Sequence, residues 1–190
     1  MLFHRTPLHF FEFLALLQIV EIEYKMGQTN YFVSYNIRQY HFFNVNNHKI
    51  TMKNKTIYIA SDHAGFKLKS QLLKTIPKLL DLGTKSEESV DYPDFAHKLT
   101  KKIVKNKNNF GILICGTGVG MSIAANRKKG IRAGLVNNAK TARLIRKHND
   151  ANVLVLPGRF INRNEAKKCV QAFLSTEFES GRHKKRINKI

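Results

Sequence analysis

The chain has 190 residues, of which 33 are Lys or Arg and 13 are Asp or Glu, a formal net charge of +20. Hydrophobic residues at 43% and charged residues at 24% make a globular composition rather than a disordered one, in a chain long enough to bury a core. Two cysteines, Cys115 and Cys169, exclude a disulfide scaffold and a multi-cysteine zinc module, and they point to a reduced, cytoplasmic setting.

Residues 1–51 hold 11 of the 19 aromatics yet carry a net charge of only +1, which leaves +19 for the remaining 139 residues. Their apolar run, Phe10 to Val20, is interrupted by Glu12 and Gln18. It is too short and too polar to span a membrane, which takes about 20 apolar residues. Arg5 precedes the run, but no small-residue cleavage site follows it, so a signal peptide is poorly supported. Residues 24–51 are rich in Asn, Tyr, Phe and His with no sustained period. An irregular N-terminal extension is therefore expected over 1–51, either disordered or a start-site artefact upstream of a natural start at Met52. A targeting or partner-binding arm is the functional alternative.

From Thr56 onward apolar strands alternate with helical patterns. Strands are expected at Ile57–Ser61, Leu79–Leu82, Gly111–Cys115, Ile131–Val136 and Asn152–Leu156. Between and after them the spacing predicts helices at Phe66–Ile76, Asp94–Val104, Met121–Lys129, Ala139–Lys147 and Asn164–Leu174, then a basic tail. Five apolar strands without a period of two imply a parallel sheet covered on both faces. The fold class is α/β, doubly wound and Rossmann-like, a single domain over residues 52–190. Ligands of such sheets sit beyond the carboxyl ends of the strands, and residue sets there are expected to converge on one rim.

The first strand is followed by Asp62-His63-Ala64-Gly65 and the third by Gly116-Thr117-Gly118-Val119-Gly120. Three glycines between a strand and a helix let backbone N–H groups approach an anion, more than a tight turn needs. This is not the dinucleotide fingerprint, because the third glycine is replaced by Met121, and the Lys-Ser/Thr ending of a P-loop is missing. A cysteine ending an apolar strand is ordinarily a small buried hydrophobe, but the glycine turn and helix start after Cys115 favour a reactive thiolate. Cys169 lies on an apolar helical face and is read as core. His148 ends a helix, where histidines also cap carbonyls. Arg182 and Arg186, four apart, share a helical face suited to a phosphate, although basic tails are usually solvated faces. No histidine pair has a metal-binding spacing.

Together these residues resemble ribose-5-phosphate isomerase type B, in the family that also contains galactose-6-phosphate isomerase subunits. The resemblance runs from about Lys55 to Arg186 and rests on Ser-Asp-His-Ala-Gly at 61–65, Asp-Tyr-Pro-Asp at 91–94 and Gly-Ile-Leu-Ile-Cys-Gly-Thr-Gly-Val-Gly-Met-Ser-Ile-Ala-Ala-Asn at 111–126. Arg-Lys-His-Asn-Asp-Ala-Asn-Val-Leu at 146–154 and Gly-Arg-His-Lys-Lys-Arg at 181–186 complete it.

That resemblance implies an aldose–ketose isomerase of the non-oxidative pentose phosphate pathway, interconverting ribose 5-phosphate and ribulose 5-phosphate through an enediolate. Cys115 would be the base, since the alternative Glu position of the family is Met121 here. The amides of Gly116, Thr117, Gly118, Val119 and Gly120 would hold the enediolate oxygen, and Thr117 would shuttle a proton. His148 would open the furanose ring. Asp62, His63, Tyr92 and Asn149 would bind the sugar, and Arg159, Arg182 and Arg186 the phosphate. The resemblance implies no metal and no organic cofactor, and a homodimer or homotetramer with the site shared between subunits. Allose or galactose 6-phosphate is the alternative substrate. A nucleic-acid-binding protein, suggested by charge alone, would need a basic stripe interleaved with aromatics. Here Lys is spread over most helices and the aromatics gather in the near-neutral extension, and no membrane partner is expected.

Overall fold

The structure, a computed structural model, describes residues 19–26, 29–36 and 55–190. Contacts divide the chain into two compact units, Met1–Asn47 and His48–Ile190. In the first, β1 (Ile19–Met26) and β2 (Thr29–Asn36) pair antiparallel, with Ile19 opposite Asn36 and Met26 opposite Thr29. Over these two segments a hairpin stands where an irregular extension was expected; the rest of 1–51 lies outside the described residues. The alternation of Val20, Ile22 and Tyr24 with Glu21, Glu23 and Lys25 is a strand pattern, obscured by the polar, Asn-rich residues that follow. The apolar run from Phe10 lies outside the described residues up to position 18. Among the described residues no helix is long and apolar enough to cross a membrane.

In the second unit β3 (Thr56–Ser61), α1 (Phe66–Thr75), β4 (Leu79–Asp81), α2 (Tyr92–Ile103), β5 (Asn109–Cys115) and α3 (Val119–Asn126) come first. Then follow β6 (Ala133–Leu135), α4 (Ala139–Asn149), β7 (Val153–Pro157), α5 (Arg163–Ser175) and α6 (Arg182–Ile187). The five strands β3 to β7 form one parallel sheet in the order β4-β3-β5-β7-β6. The expected doubly wound α/β class is what forms. The outer strands β4 and β6 are three residues each, shorter than the apolar runs that announced them, because each has a neighbour on one side only.

Alternation along the central strands sends side chains into two cores. Phe110, Ile112 and Ile114 of β5 join Leu154 and Leu156 of β7, packing with Leu68 and Leu72 of α1, Ala142 of α4, and Val170 and Phe173 of α5. Leu113 and Cys115, with Val153 and Val155, face Ala96, Leu99 and Ile103 of α2 and Met121 and Ala125 of α3. Burial on both faces is why these strands lack a polar alternation. Cys169 sits in the first core, and burial, aided by the charge of Glu165, pushes its thiol up to about 12. One ion pair also reaches into the interior: Lys69 of α1, 1% exposed, meets Asp81 at the end of β4 at 2.6 Å.

β3 has β4 on one side and β5 on the other. The direction of winding therefore reverses between β3 and β5, which opens a crevice at their carboxyl ends. The residues that leave those two strands line it.

Candidate active site

Asp62 leaves β3 and is 5% exposed. Its carboxylate accepts a hydrogen bond from the Gly65 amide at 3.0 Å and so caps the single 3-10 turn His63–Gly65. His63 is held by the loop before α2: its Nδ1 lies 3.2 Å from the Val90 carbonyl oxygen and 3.3 Å from the Val90 amide nitrogen. Both side chains are thereby fixed by backbone rather than left to solvent.

At the end of β5, Cys115 is 5% exposed and its sulfur accepts a hydrogen bond from the Gly118 amide at 3.2 Å. Gly118 adopts φ 78°, the left-handed conformation that turns its N–H back onto the sulfur, and a Cβ there would run into Leu135. α3 begins at Val119, two residues before the apolar pattern suggested, so Gly120 belongs to its first turn. The ring of Tyr92 packs across Gly120, where a Cβ would stand 2.7 Å from the ring carbon Cζ. The Thr117 hydroxyl oxygen accepts from the Val119 amide at 3.3 Å, leaving its own proton to donate. First-turn amides of a helix have no intrahelical acceptor, so the amino end of α3 faces the crevice as a set of donors.

Arg159 joins this rim after β7. Its amide donates to the Gly116 carbonyl at 3.0 Å, and the Gly158 amide donates to that of Cys115 at 2.8 Å. A cleft of about 420 Å³ beside the glycine turn is lined by Thr117, Leu135, Val136, Asn137, Thr141, Pro157 and Phe160. Neither Asn137, which follows the fourth expected strand, nor Phe160 was assigned a role from sequence; their positions shortly after β6 and β7 are the signal that points to them.

The expectation that every candidate converges on one rim is corrected by α4. This helix starts at the carboxyl end of β6 and runs back to the amino end of β7, so His148 and Asn149 reach the opposite rim. The register pairs Gly111 with Val153 and Cys115 with Pro157. Four residues of extended chain, about 13 Å, therefore separate the level of α4's end from Cys115. There Asp150, in the left-handed region at φ 46°, binds Arg132 at 2.7 Å and Arg146 at 2.8 Å. Arg146 is 6% exposed and stacks its guanidinium on Phe110 and Phe173, at 5.0 and 5.8 Å.

α6 docks against this end of α4. His183 stacks on His148 with ring centroids 4.3 Å apart and planes 9° from parallel, and the exposed Arg182 and Arg186 flank it on the same helix. Burial, then the charges of His148, Arg182 and Arg186, push the His183 imidazole below the usual histidine range, against a smaller opposite pull from Glu179. His183 stands inside the Gly-Arg-His-Lys-Lys-Arg segment, directly after Arg182. The candidates thus fall into two groups within one chain: Asp62, His63, Tyr92, Cys115 to Gly120 and Arg159 on the carboxyl rim, and His148, Asn149, Arg182 and Arg186 on the other. Among the described residues no group of three or more His, Cys, Asp or Glu is placed to hold a metal ion.

Comparison with known proteins places the chain among its relatives. The model of the ribose/galactose isomerase family matches residues 57–190. A probable ribose-5-phosphate isomerase B of Mycoplasma pneumoniae is 51% identical over 142 residues, covering 72% of this chain and 93% of that one. Ribose-5-phosphate isomerase B of Escherichia coli is 41% identical over 140 residues, 72% of this chain and 94% of that one. Among solved structures, a ribose 5-phosphate isomerase of Thermotoga maritima superposes with a TM-score of 0.68 at 55% identity, covering 72% of this chain and 97% of that one. Ribose-5-phosphate isomerase B of Mycoplasma genitalium, solved with bound ribulose 5-phosphate, gives 0.69 at 46% identity, with 72% and 93% covered. With the family model matched across the whole sheet and relatives covered almost end to end, the chain belongs to the ribose/galactose isomerase family.

Proposed function

We propose that the chain interconverts ribose 5-phosphate and ribulose 5-phosphate, in the cytoplasm, with residues 52–190 as the catalytic unit. The observation that carries this reading is the Cys115 sulfur, seated 3.2 Å from the Gly118 amide at the amino end of α3. As thiolate, Cys115 removes the C2 proton of the open aldose. The C–H electron pair becomes the C1–C2 double bond of an enediolate, whose oxygen the amides at the start of α3 stabilise. The thiol returns its proton to C1, Thr117 moves the remaining proton between O1 and O2, and the sugar leaves as ketose with no net oxidation. Asp62, His63 and Tyr92 hold the sugar, and the arginines its phosphate.

The opposite rims of Cys115 and His148 support a site completed by a second copy, whose His148 opens the ring and whose Asn149, Arg182 and Arg186 reach the substrate. Val119, Ile123 and Phe160, 49%, 57% and 72% exposed, give the carboxyl rim an apolar border suited to burial against that copy. A coupled assay of the purified full chain against ribose, allose and galactose phosphates tests the reading. Ribulose 5-phosphate formation from ribose 5-phosphate, with the highest kcat/KM of the set, is the expected result; preference for a six-carbon phosphate overturns the substrate assignment.

A further inference from the structure

The buried histidine His183 has no part in the steps just described, yet it lies face to face with the residue assigned to ring opening. We propose that His183 is a positioning residue for His148, its buried ring serving as a flat platform that fixes the plane of the His148 imidazole.

The geometry is specific. A centroid separation of 4.3 Å with planes 9° apart is a stacked contact, in which one ring limits rotation of the other about its Cβ–Cγ bond. His183 itself cannot turn away: it is 5% exposed, and its amide donates to the Ser180 carbonyl at 3.1 Å, anchoring the first turn of α6. Its Nε2 is buried without a hydrogen-bond partner, and an imidazolium there would have a proton with nothing to receive it. The charged groups around the ring discourage a second proton as well. Arg182 and Arg186 lie on α6, and His148 itself on α4, and all three repel a charge on His183. Glu179, in the segment between α5 and α6, opposes them, but its carboxylate is partly engaged by Lys147 of α4 at 3.8 Å. A neutral imidazole stacked on an imidazolium is favourable, whereas two stacked cations are not. His183 therefore offers His148 an aromatic face without competing for the proton that ring opening needs.

This inference rests on the ring-opening role of His148. His183→Ala is expected to lower kcat on ribose 5-phosphate by about 100-fold, the scale of a misplaced catalytic group, with KM little changed. His183→Phe, which keeps the aromatic face and cannot take a proton, is expected to restore most of kcat and leave the pH–rate profile in place. Equal losses in the two variants overturn the proposal. A second arm does not depend on activity: in an NMR titration of the full chain, His183 is expected to take its proton at a lower pH than a free histidine, and His148→Phe to move that midpoint upward. A midpoint unmoved by His148→Phe overturns the pairing. Absence of isomerase activity in the wild-type chain would instead remove the functional reading, with the NMR arm still deciding whether the rings are coupled.

Discussion

The Gly118 amide donates to the sulfur of Cys115 at 3.2 Å, across a turn that only a left-handed residue can make. Sulfur and amide therefore share one backbone feature, at φ 78°. Gly118→Ala adds about 1–2 kcal/mol of left-handed strain and drives a methyl group into Leu135. The turn must then open and carry the amide off the sulfur. Activity is expected to fall far more than stability, read as kcat against the urea midpoint. Wild-type turnover in this variant would disconnect the turn from the chemistry.

The ion pair between Lys69 and Asp81 is unequal, with side chains 1% and 34% exposed. Removing Asp81 leaves a buried ammonium that lies 5.5 Å from the centroid of the Phe66 ring. Asp81→Ala is expected to cost about 3–5 kcal/mol. Lys69→Met leaves a carboxylate that water reaches and that still accepts from the Gly83 amide at 2.9 Å. That variant is expected to lose no more than about 1 kcal/mol. Urea denaturation of both proteins checks the order, and a reversed order refutes the argument from exposure.

The central sheet was legible because β3, β5 and β7 are buried on both faces and so read as unbroken apolar runs. The glycine turn was legible for a related reason: a strand, a cysteine and spaced glycines are a local arrangement, and local spacing survives in sequence. The placement of His148 was not. It depends on α4 running antiparallel to its strands, which turns eleven residues of helix into a displacement from one rim to the other. A list of residues near strand ends does not contain that direction. The His148–His183 stack was hidden for the same reason, since it joins residues 35 positions apart in sequence through the packing of α6 on α4.

The depressed proton affinity of His183 makes stability depend on pH in a definite direction. The unfolded chain protonates this ring near the ordinary histidine value of about 6.5, while the native ring does so only at lower pH. Between those two points the unfolded state binds more protons, so stability rises with pH there. The contribution is whole above about pH 6.5 and is lost as the pH falls toward the native value. His183→Phe removes this dependence. The difference in urea midpoint between about pH 7.5 and about pH 5.5 is therefore expected to be smaller in the variant than in the wild type. An equal difference would mean that His183 is not held neutral by its burial.

The separation of Cys115 and His148 on opposite rims leads to a complementation test. If two copies complete each site, Cys115→Ala and His148→Gln chains are each inactive alone. A mixed dimer, however, contains one site with both residues intact and one with neither. Random assortment makes half of the dimers mixed, so unfolding and refolding an equal mixture together is expected to recover about a quarter of wild-type activity. Mixing without subunit exchange should recover none. Activity that stays absent after exchange, with mixed dimers demonstrated by mass, would place both residues in the service of a single chain and overturn the shared site. The same experiment with His183→Ala in place of His148→Gln should give the same recovery, because the stacked ring and the residue it positions travel on the same copy.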